Sequence, residues 1–253
     1  MTISDQPLVS VIMPTYNHER FIGEAIESVL GQTLEDFELV IINDGSFDGT
    51  DAVIRTYEDK RIVYIHQNNQ GPSVASNNGI LRARGKYLAL VSGDDVCISN
   101  RLEAQLNYAL KNNTKALFSW INFIDDSSAP VVGENPFFRG FNYPNSTRGE
   151  ILRKLIFEGN YFCGTTAFIE REFFLRKGLF NPCLIQTQDL DMWIRIVKDT
   201  DLVIMPEYLL NYRVISNNGN LSSPSNTIRT SFETHQIMKT VFDDIEASLF
   251  KDA

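Results

Sequence analysis

Lys86-Tyr-Leu-Ala-Leu-Val-Ser-Gly-Asp-Asp95 is the stretch on which the reading of the fold turns. Tyr87 to Val91 shows no polar alternation, as expected of a strand covered on both faces in a parallel sheet. The strand runs straight into two adjacent carboxylates, Asp94 and Asp95, and in open α/β sheets ligands gather at the carboxyl ends of strands. Two carboxylates in a small space repel unless something positive neutralises them, and a hard divalent cation with oxygen ligands does so. Asp94 is equally suited to opening a turn or capping a helix that starts near Asn100 or Arg101. The pair alone leaves both readings open.

The chain before this stretch repeats one pattern. Residues 8–13 read as a buried strand broken by Pro14, leaving Pro14-Thr15-Tyr16-Asn17 as a loop at its carboxyl end. Ile22, Ala25, Ile26, Val29 and Leu30 fall at i, i+3, i+4, i+7 and i+8, one apolar stripe on a helix that stops at Gly31. Residues 37–42 form a second strand, followed at once by Asn43-Asp44-Gly45-Ser46. A helix over 50–57, a strand over 61–66 and a helix from Ser73 to Gly85 complete the run. Alternation of strand and helix predicts a parallel sheet with right-handed crossovers. No glycine-rich dinucleotide fingerprint and no Walker A sequence follows any strand, which argues against NAD enzymes and P-loop NTPases.

Beyond Arg101 the pattern loosens. Helices are expected over 102–111, 150–158 and 171–177, strands over 116–124, 165–169 and 202–205, and a long loop over 125–148. Gln186-Thr-Gln-Asp-Leu-Asp-Met-Trp-Ile-Arg195 places Asp189 and Asp191 on the first turn of a helix with Met192, Trp193 and Ile196 on its apolar side. A last helix is expected over 226–250. Its Ile228, Phe232, Ile237, Val241, Ile245 and Leu249 give a broad apolar face. Interfacial helices carry Lys and Arg to meet anionic lipid, whereas this one sets Glu233, Asp243, Asp244 and Glu246 against Arg229, Lys239 and Lys251. The expectation is docking on the protein itself or on a partner subunit, which allows a homo-oligomer.

A chain of 253 residues with 43% hydrophobic content buries a full core. Its net charge of −9 leaves no basic surface for nucleic acid, so any bound phosphate needs a metal or backbone donors. No signal-type segment and no run of membrane-spanning length is read in the sequence, which predicts a cytoplasmic protein without an integral membrane segment. Cys97, Cys163 and Cys183, odd in number and widely spaced, suit reduced thiols.

Five ordered stretches carry a resemblance: Val9-Ser-Val-Ile-Met-Pro-Thr-Tyr-Asn17, Glu38-Leu-Val-Ile-Ile-Asn-Asp-Gly-Ser46, Gly71-Pro-Ser-Val-Ala-Ser-Asn-Asn-Gly-Ile80, Gly85-Lys-Tyr-Leu88 and Gln188-Asp-Leu-Asp-Met-Trp-Ile-Arg195. Together they resemble the inverting family 2 glycosyltransferases of the GT-A fold over most of the chain. The resemblance implies an α/β fold in which a mostly parallel nucleotide-binding sheet flanked by helices (1–100) is fused to an acceptor-binding half (101–225). A C-terminal helical extension (226–253) completes one continuous domain. It further implies that Pro14, Thr15, Tyr16, Asp44 and Asn78 form a nucleotide pocket, that Asp94 contacts ribose or sugar, that Asp95 ligates Mg²⁺ or Mn²⁺, and that Asp189 is the catalytic base.

The residues themselves also admit Tyr16 as a core aromatic, Asp44 as an Asx-turn residue and Asp189 as a helix N-terminal carboxylate, for which Asp191 serves equally. Trp193 reads as core, with acceptor stacking as the alternative. The implied activity is metal-dependent, inverting transfer of a hexosyl or N-acetylhexosaminyl group from a nucleotide sugar, UDP-linked, to a saccharide or lipid-linked saccharide of a surface polysaccharide. Rivals are a sugar nucleotidyltransferase, whose glycine-rich basic loop is missing near the N-terminus, and a non-catalytic nucleotide-sugar binding module. Three positions depart from the family pattern: Ser92 where many members have Asp, Gln188 where Glu is usual, and Ile215 where some place His.

Overall fold

Strand and helix alternate from Val9 to Leu90, as the apolar runs require. In a computed structural model describing residues 6–131, 141–216, 226–242 and 249, the order is β1 (Val9–Thr15), α1 (Ile22–Leu30), β2 (Phe37–Asp44), α2 (Thr50–Ile54), β3 (Ile62–Gln67), α3 (Pro72–Arg82) and β4 (Tyr87–Leu90). There follow β5 (Val96–Cys97), α4 (Arg101–Asn112), β6 (Ala116–Ile124), α5 (Arg148–Phe157), β7 (Phe168–Glu170), α6 (Arg171–Arg176), α7 (Gln188–Val197), β8 (Val203–Arg213) and α8 (Thr227–Thr240). All eight strands join one sheet in the order β3-β2-β1-β4-β7-β6-β8-β5. β1 pairs parallel with both β2 and β4, and β2 with β3. The second half adds β7 antiparallel to β4 and to β6, β8 parallel to β6, and β5 antiparallel to β8. This is the GT-A type of α/β architecture.

Strand residues supply both faces of the sheet. Ile12, Val40, Ile42 and Leu88 enter one apolar layer with Trp193 and Leu190 of α7, while Val11, Met13, Leu39, Ile41 and Ala89 enter the other with Ile22, Ile26 and Leu102. The unbroken apolar runs are therefore strands buried on both sides.

Several boundaries differ from the expected ones. β1 runs through Pro14 to Thr15. Its pairing with β4 ends at Ile12 opposite Leu90, so the missing proline N–H falls beyond that ladder. Residues 164–166 form a 3-10 turn and the strand begins only at Phe168; the Thr166 hydroxyl donates to Cys163 O at 2.8 Å and holds the turn. The strand expected over 202–205 continues to Arg213 as one element, with register shifts opposite Trp120. Pro206 and Glu207 sit between the paired Met205 and Tyr208, where a bulge tolerates proline. α5 starts two residues early because Thr147 and Glu150 form a capping box. The long loop is described only at its two ends, since residues 132–140 lie outside the described residues.

The C-terminal helix is corrected more substantially. Ile237 and Val241 are buried in the core, and Leu249 packs against it, but Ile228 and Phe232 are 89% and 64% exposed. Around a 3.6-residue turn, Ile228 and Phe232 point nearly opposite to Ile237 and Val241, so the six apolar positions do not make one face. Ile245 lies outside the described residues. No helix among the described residues is long and apolar enough to cross a membrane.

Candidate active site

The parallel strands β1, β2 and β4 deliver their carboxyl ends to one edge of the sheet. There β1 presents Pro14, Thr15 and Tyr16. Thr15 Oγ1 lies 3.2 Å from His18 Nδ1, and His18 Nε2 lies 4.0 Å from Asp94 Oδ2, so one imidazole bridges the first strand end and the acidic loop. Gly93 permits this approach, because a Cβ there would stand 2.5 Å from Thr15 Oγ1. Tyr16 is 41% exposed and meets Phe47 edge-to-face at 6.0 Å, with Phe47 itself 83% exposed. Tyr16 is therefore a rim aromatic, which sets aside its reading as core.

The loops after β1 and β2 are laced together. Asn17 N–H donates to Ser46 Oγ at 2.9 Å, Phe47 N–H to Asn17 Oδ1 at 3.0 Å, and His18 N–H to Thr50 Oγ1 at 2.9 Å. Asp44 is buried and organises the next loop. Its Oδ1 accepts from Gln67 Nε2 at 2.7 Å and Gln70 N–H at 2.9 Å, and its Oδ2 from Gly71 N–H at 2.9 Å. Gly71 supplies the left-handed φ of +88° that this loop needs. Asn78 Nδ2 donates to Gln67 Oε1 at 2.7 Å, so Asn78 stands one link behind Asp44. The Asx-type bond at the Gly45 turn belongs to Asn43, which accepts from Ser46 N–H at 3.0 Å, and not to Asp44.

Asp95 is the most constrained carboxylate. It is 1% exposed; its Oδ1 accepts from Arg213 N–H at 2.9 Å, and its buried Oδ2 has no hydrogen bond of acceptable geometry among the described residues. Burial first, and the Asp94 charge second, push its pKa well above the carboxylate range, against the Arg213 N–H, the Thr165 hydroxyl and the Arg101 charge. A buried, orphaned carboxylate oxygen beside a second acid is what a divalent cation would relieve. Among the described residues no three His, Cys, Asp or Glu side chains gather as a metal site. The donor set thus fits a cation of the Mg²⁺ or Mn²⁺ type that takes much of its coordination from phosphate oxygens and water.

Arg213 holds this corner. Its fully buried guanidinium donates from Nε to Asp94 O at 2.8 Å, from NH1 to Asp125 O at 2.7 Å and Ser128 Oγ at 3.0 Å, and from NH2 to Glu24 Oε2 at 2.6 Å. It also lies 4.8 Å over the Phe21 ring. Sequence reasoning did not single it out, because the strand was expected to end at 205 and Arg213 stands at the end of its continuation.

Asp189 is the second residue of α7. Its Oδ2 accepts from Asn160 Nδ2 at 2.7 Å, and its Oδ1 from Leu190 N–H at 2.7 Å. The residue keeps a partly exposed edge, but its carboxyl is enclosed. Burial pushes it up to about 6, with the backbone amides of Leu190 and Asp189 and the Asn160 side chain opposing. The 164–166 turn joins the two acidic centres: Thr165 neighbours Asp95, and a Cβ on Gly164 would lie 3.6 Å from Asp189 Oδ2. Asp191, the alternative base, is held by Arg195 at 2.7 Å one turn later. Trp193 is fully buried and packs edge-on to Phe118 at 4.8 Å, which rules out acceptor stacking.

A profile described as "Glycosyl transferase family 2" matches residues 10–176. The chain belongs to glycosyltransferase family 2. This membership makes it a glycosyltransferase and sets aside both the nucleotidyltransferase and the non-catalytic module. An uncharacterized glycosyltransferase of Methanocaldococcus jannaschii is 34% identical over 225 residues, 86% of this chain and 74% of that protein. The Escherichia coli protein named UDP-Glc:alpha-D-GlcNAc-diphosphoundecaprenol beta-1,3-glucosyltransferase WfgD is 30% identical over 224 residues, 85% of this chain and 81% of its own. The chain spans only 31% to 64% of the length of several Rickettsia relatives. In fold, it is similar to Staphylococcus aureus TarS in complex with UDP, with TM-score 0.72, 18% identity, and 94% of this chain and 66% of that chain covered. Pyrobaculum calidifontis mannosyltransferase PcManGT, solved with GDP-Man and Mn²⁺, is similar at TM-score 0.66 and 18% identity, with 98% and 68% covered. A neighbour of this fold thus binds a divalent metal. The matched profile ends before Asp189.

Proposed function

We propose that this glycosyltransferase transfers a sugar from a UDP-linked donor, with inversion, to a saccharide or lipid-linked saccharide acceptor of a surface polysaccharide. The observation that supports the reading is the placement of the Asp189 carboxyl, held by Asn160 and the Leu190 N–H beside Gly164, with the buried acid pair across the same 164–166 turn; burial pushes that carboxyl up to about 6. A base needs a pKa near working pH and a position beside the hydroxyl it deprotonates.

Residues 1–100 hold the donor in this account and 101–225 the acceptor. The nucleobase lies against Tyr16 and Phe47, with the second lone pair of Asp44 Oδ2 reading a base N–H. Asp94 faces ribose or sugar. Asp95 would hold Mg²⁺ or Mn²⁺ through its Oδ2, unpartnered among the described residues, and the ion would supply charge stabilisation for the departing diphosphate. The acceptor oxygen attacks the anomeric carbon as the bond from that carbon to the diphosphate oxygen breaks, and the hydroxyl proton passes to Asp189. Attack from the face opposite the leaving group inverts configuration. The names of WfgD and of the UDP complex of TarS support the UDP assignment and, for WfgD, a lipid-linked acceptor.

The test is slow donor hydrolysis with Mn²⁺ or Mg²⁺ across UDP-, GDP- and dTDP-sugars, with calorimetric binding of the three diphosphates. UDP-sugars should be consumed and UDP bound. Binding of GDP and dTDP with none of UDP at millimolar concentration would remove the uridine assignment.

A further inference from the structure

α8 reaches back to the start of α7. The Glu233 side chain is 3% exposed, and its carboxylate accepts four hydrogen bonds. Ile185 N–H donates to Oε1 at 3.0 Å; Gln186 N–H at 2.8 Å, Thr187 N–H at 3.0 Å and the Thr187 hydroxyl at 3.2 Å donate to Oε2. All four donors lie in the three residues that precede α7, and Asp189 is the second residue of that helix.

The Thr187 side chain makes no cap bond to α7 itself. Glu233, a carboxylate on another helix, instead ties down the segment that leads into α7, including the N–H of the N-cap residue Thr187, and stands near the positive end of the α7 dipole. Ile237 and Val241, one and two turns beyond Glu233, share a core layer with Leu190 and Trp193 of α7. The two helices are thus tied by a buried polar clamp at one point and apolar packing beside it. Burying a carboxylate is costly unless it is hydrogen-bonded, and Glu233 uses its bonds on the segment that sets where α7 begins. That starting point fixes where the Asp189 carboxyl meets Asn160 and the 164–166 turn.

We propose that Glu233 is a positioning residue of the transfer reaction. Through the backbone of residues 185–187 it holds the Asp189 carboxyl against the acceptor site, so α8 belongs to the catalytic apparatus and is more than a packing element. The proposal rests on the reading of Asp189 as base. Misplacing a catalytic group by about 1 Å costs roughly a hundredfold in rate. Among the described residues the hydrogen bonds of Glu233 go to residues 185–187 and none goes to a donor-side residue directly; the adjoining Leu184 carbonyl, which accepts from the Ser73 hydroxyl at 2.5 Å, is the link to α3.

The experiment compares E233Q, E233D and D189N in the full chain, using hydrolysis of UDP-glucose and UDP-N-acetylglucosamine with Mn²⁺, UDP affinity by calorimetry, and amide exchange over residues 185–191. Glutamine keeps the size of Glu233 but turns an NH₂ toward backbone N–H groups. E233Q should lower kcat by about ten- to a hundredfold, leave donor KM and UDP Kd within about twofold, and speed exchange over 185–191. E233D should recover part of kcat. If E233Q does not fold, E233D carries the same readouts. Wild-type kcat in the folded variant, or parallel loss of kcat and UDP affinity, overturns the proposal. Lost turnover in D189N with wild-type turnover in E233Q removes this proposal alone. Wild-type turnover in D189N removes the base reading and this proposal with it.

Discussion

The proposed donor edge and the proposed acid-base corner of this enzyme are built in opposite ways. Thr15, Asp44, Asp94 and Asp95 stand at or just past the carboxyl ends of consecutive parallel strands, each within reach of the loop it organises. Asp189 stands on a helix whose setting depends on Asn160, 29 residues before Asp189 in a preceding loop, and on Glu233 in α8, 46 residues beyond Thr187. Strand order brings the first region together, and Arg213 at the end of β8 pins its acid pair. Tertiary contacts among the loops and helices of the second half shape the other. Binding should accordingly fail when the first is damaged, and turnover when the second is.

The largest expected effect breaks the comparison on the acid-base side. D189N should lose about 10²-fold or more in kcat, the share a general base contributes, while UDP affinity stays near wild type by calorimetry. Normal turnover in D189N would move the base elsewhere. The donor side should break in the other sense: D95N should weaken Mn²⁺-dependent UDP binding by at least about tenfold, since even groups that merely orient a ligand cost that much. Its melting temperature without metal should not fall, because the lost charge is buried and poorly paired. A Mn²⁺-dependent gain in UDP affinity as large in D95N as in the wild type would take the metal away from Asp95.

These two regions also explain what was readable in advance. β1, β2 and β4 were legible because buried parallel strands leave unbroken apolar runs, and Asp44 and Asp95 drew attention because carboxylates end or soon follow such runs. Pro14 misled only at the boundary, since its missing N–H falls past the β4 ladder. The second half was harder. The 164–166 turn and the bulge at Pro206 depend on hydrogen bonds and register that have no local period. Arg213, Asn160 and Glu233 were missed as site residues because each acts through a distant partner. The apolar positions of α8 were read as one face, but the helix gives Glu233 the same side as Ile237 and Val241.

Smaller effects sharpen the contrast. Asp189 carries a stability cost that its proposed use as a base would require. Its folded pKa is raised to about 6, so its contribution to stability is fully present below the ordinary value of 3.8 and is lost as pH rises through about 6. D189N should therefore melt higher than wild type above pH 6, by up to about 3 kcal/mol at 1.36 kcal/mol per unit, with the gap closing below pH 4. A constant gap at all pH values would place the cause outside ionisation. At the donor rim, F47A should weaken UDP binding by about 0.5–1.5 kcal/mol, the worth of an aromatic contact, and leave binding of Mn²⁺-pyrophosphate unchanged. Unchanged UDP affinity would remove Phe47 from the nucleobase site.

The division between a binding edge and an acid-base corner is tested most directly by the pH dependence of UDP-sugar hydrolysis at saturating Mn²⁺, in parallel with UDP binding at the same pH values. Between pH 5 and 8, kcat should rise with unit slope through about pH 6, the value to which burial pushes Asp189, and then level off. The D189N residual rate should lack this limb, while UDP Kd in both proteins follows one common curve. A limb of the same midpoint in D189N, or one that tracks UDP affinity instead of turnover, would contradict the account.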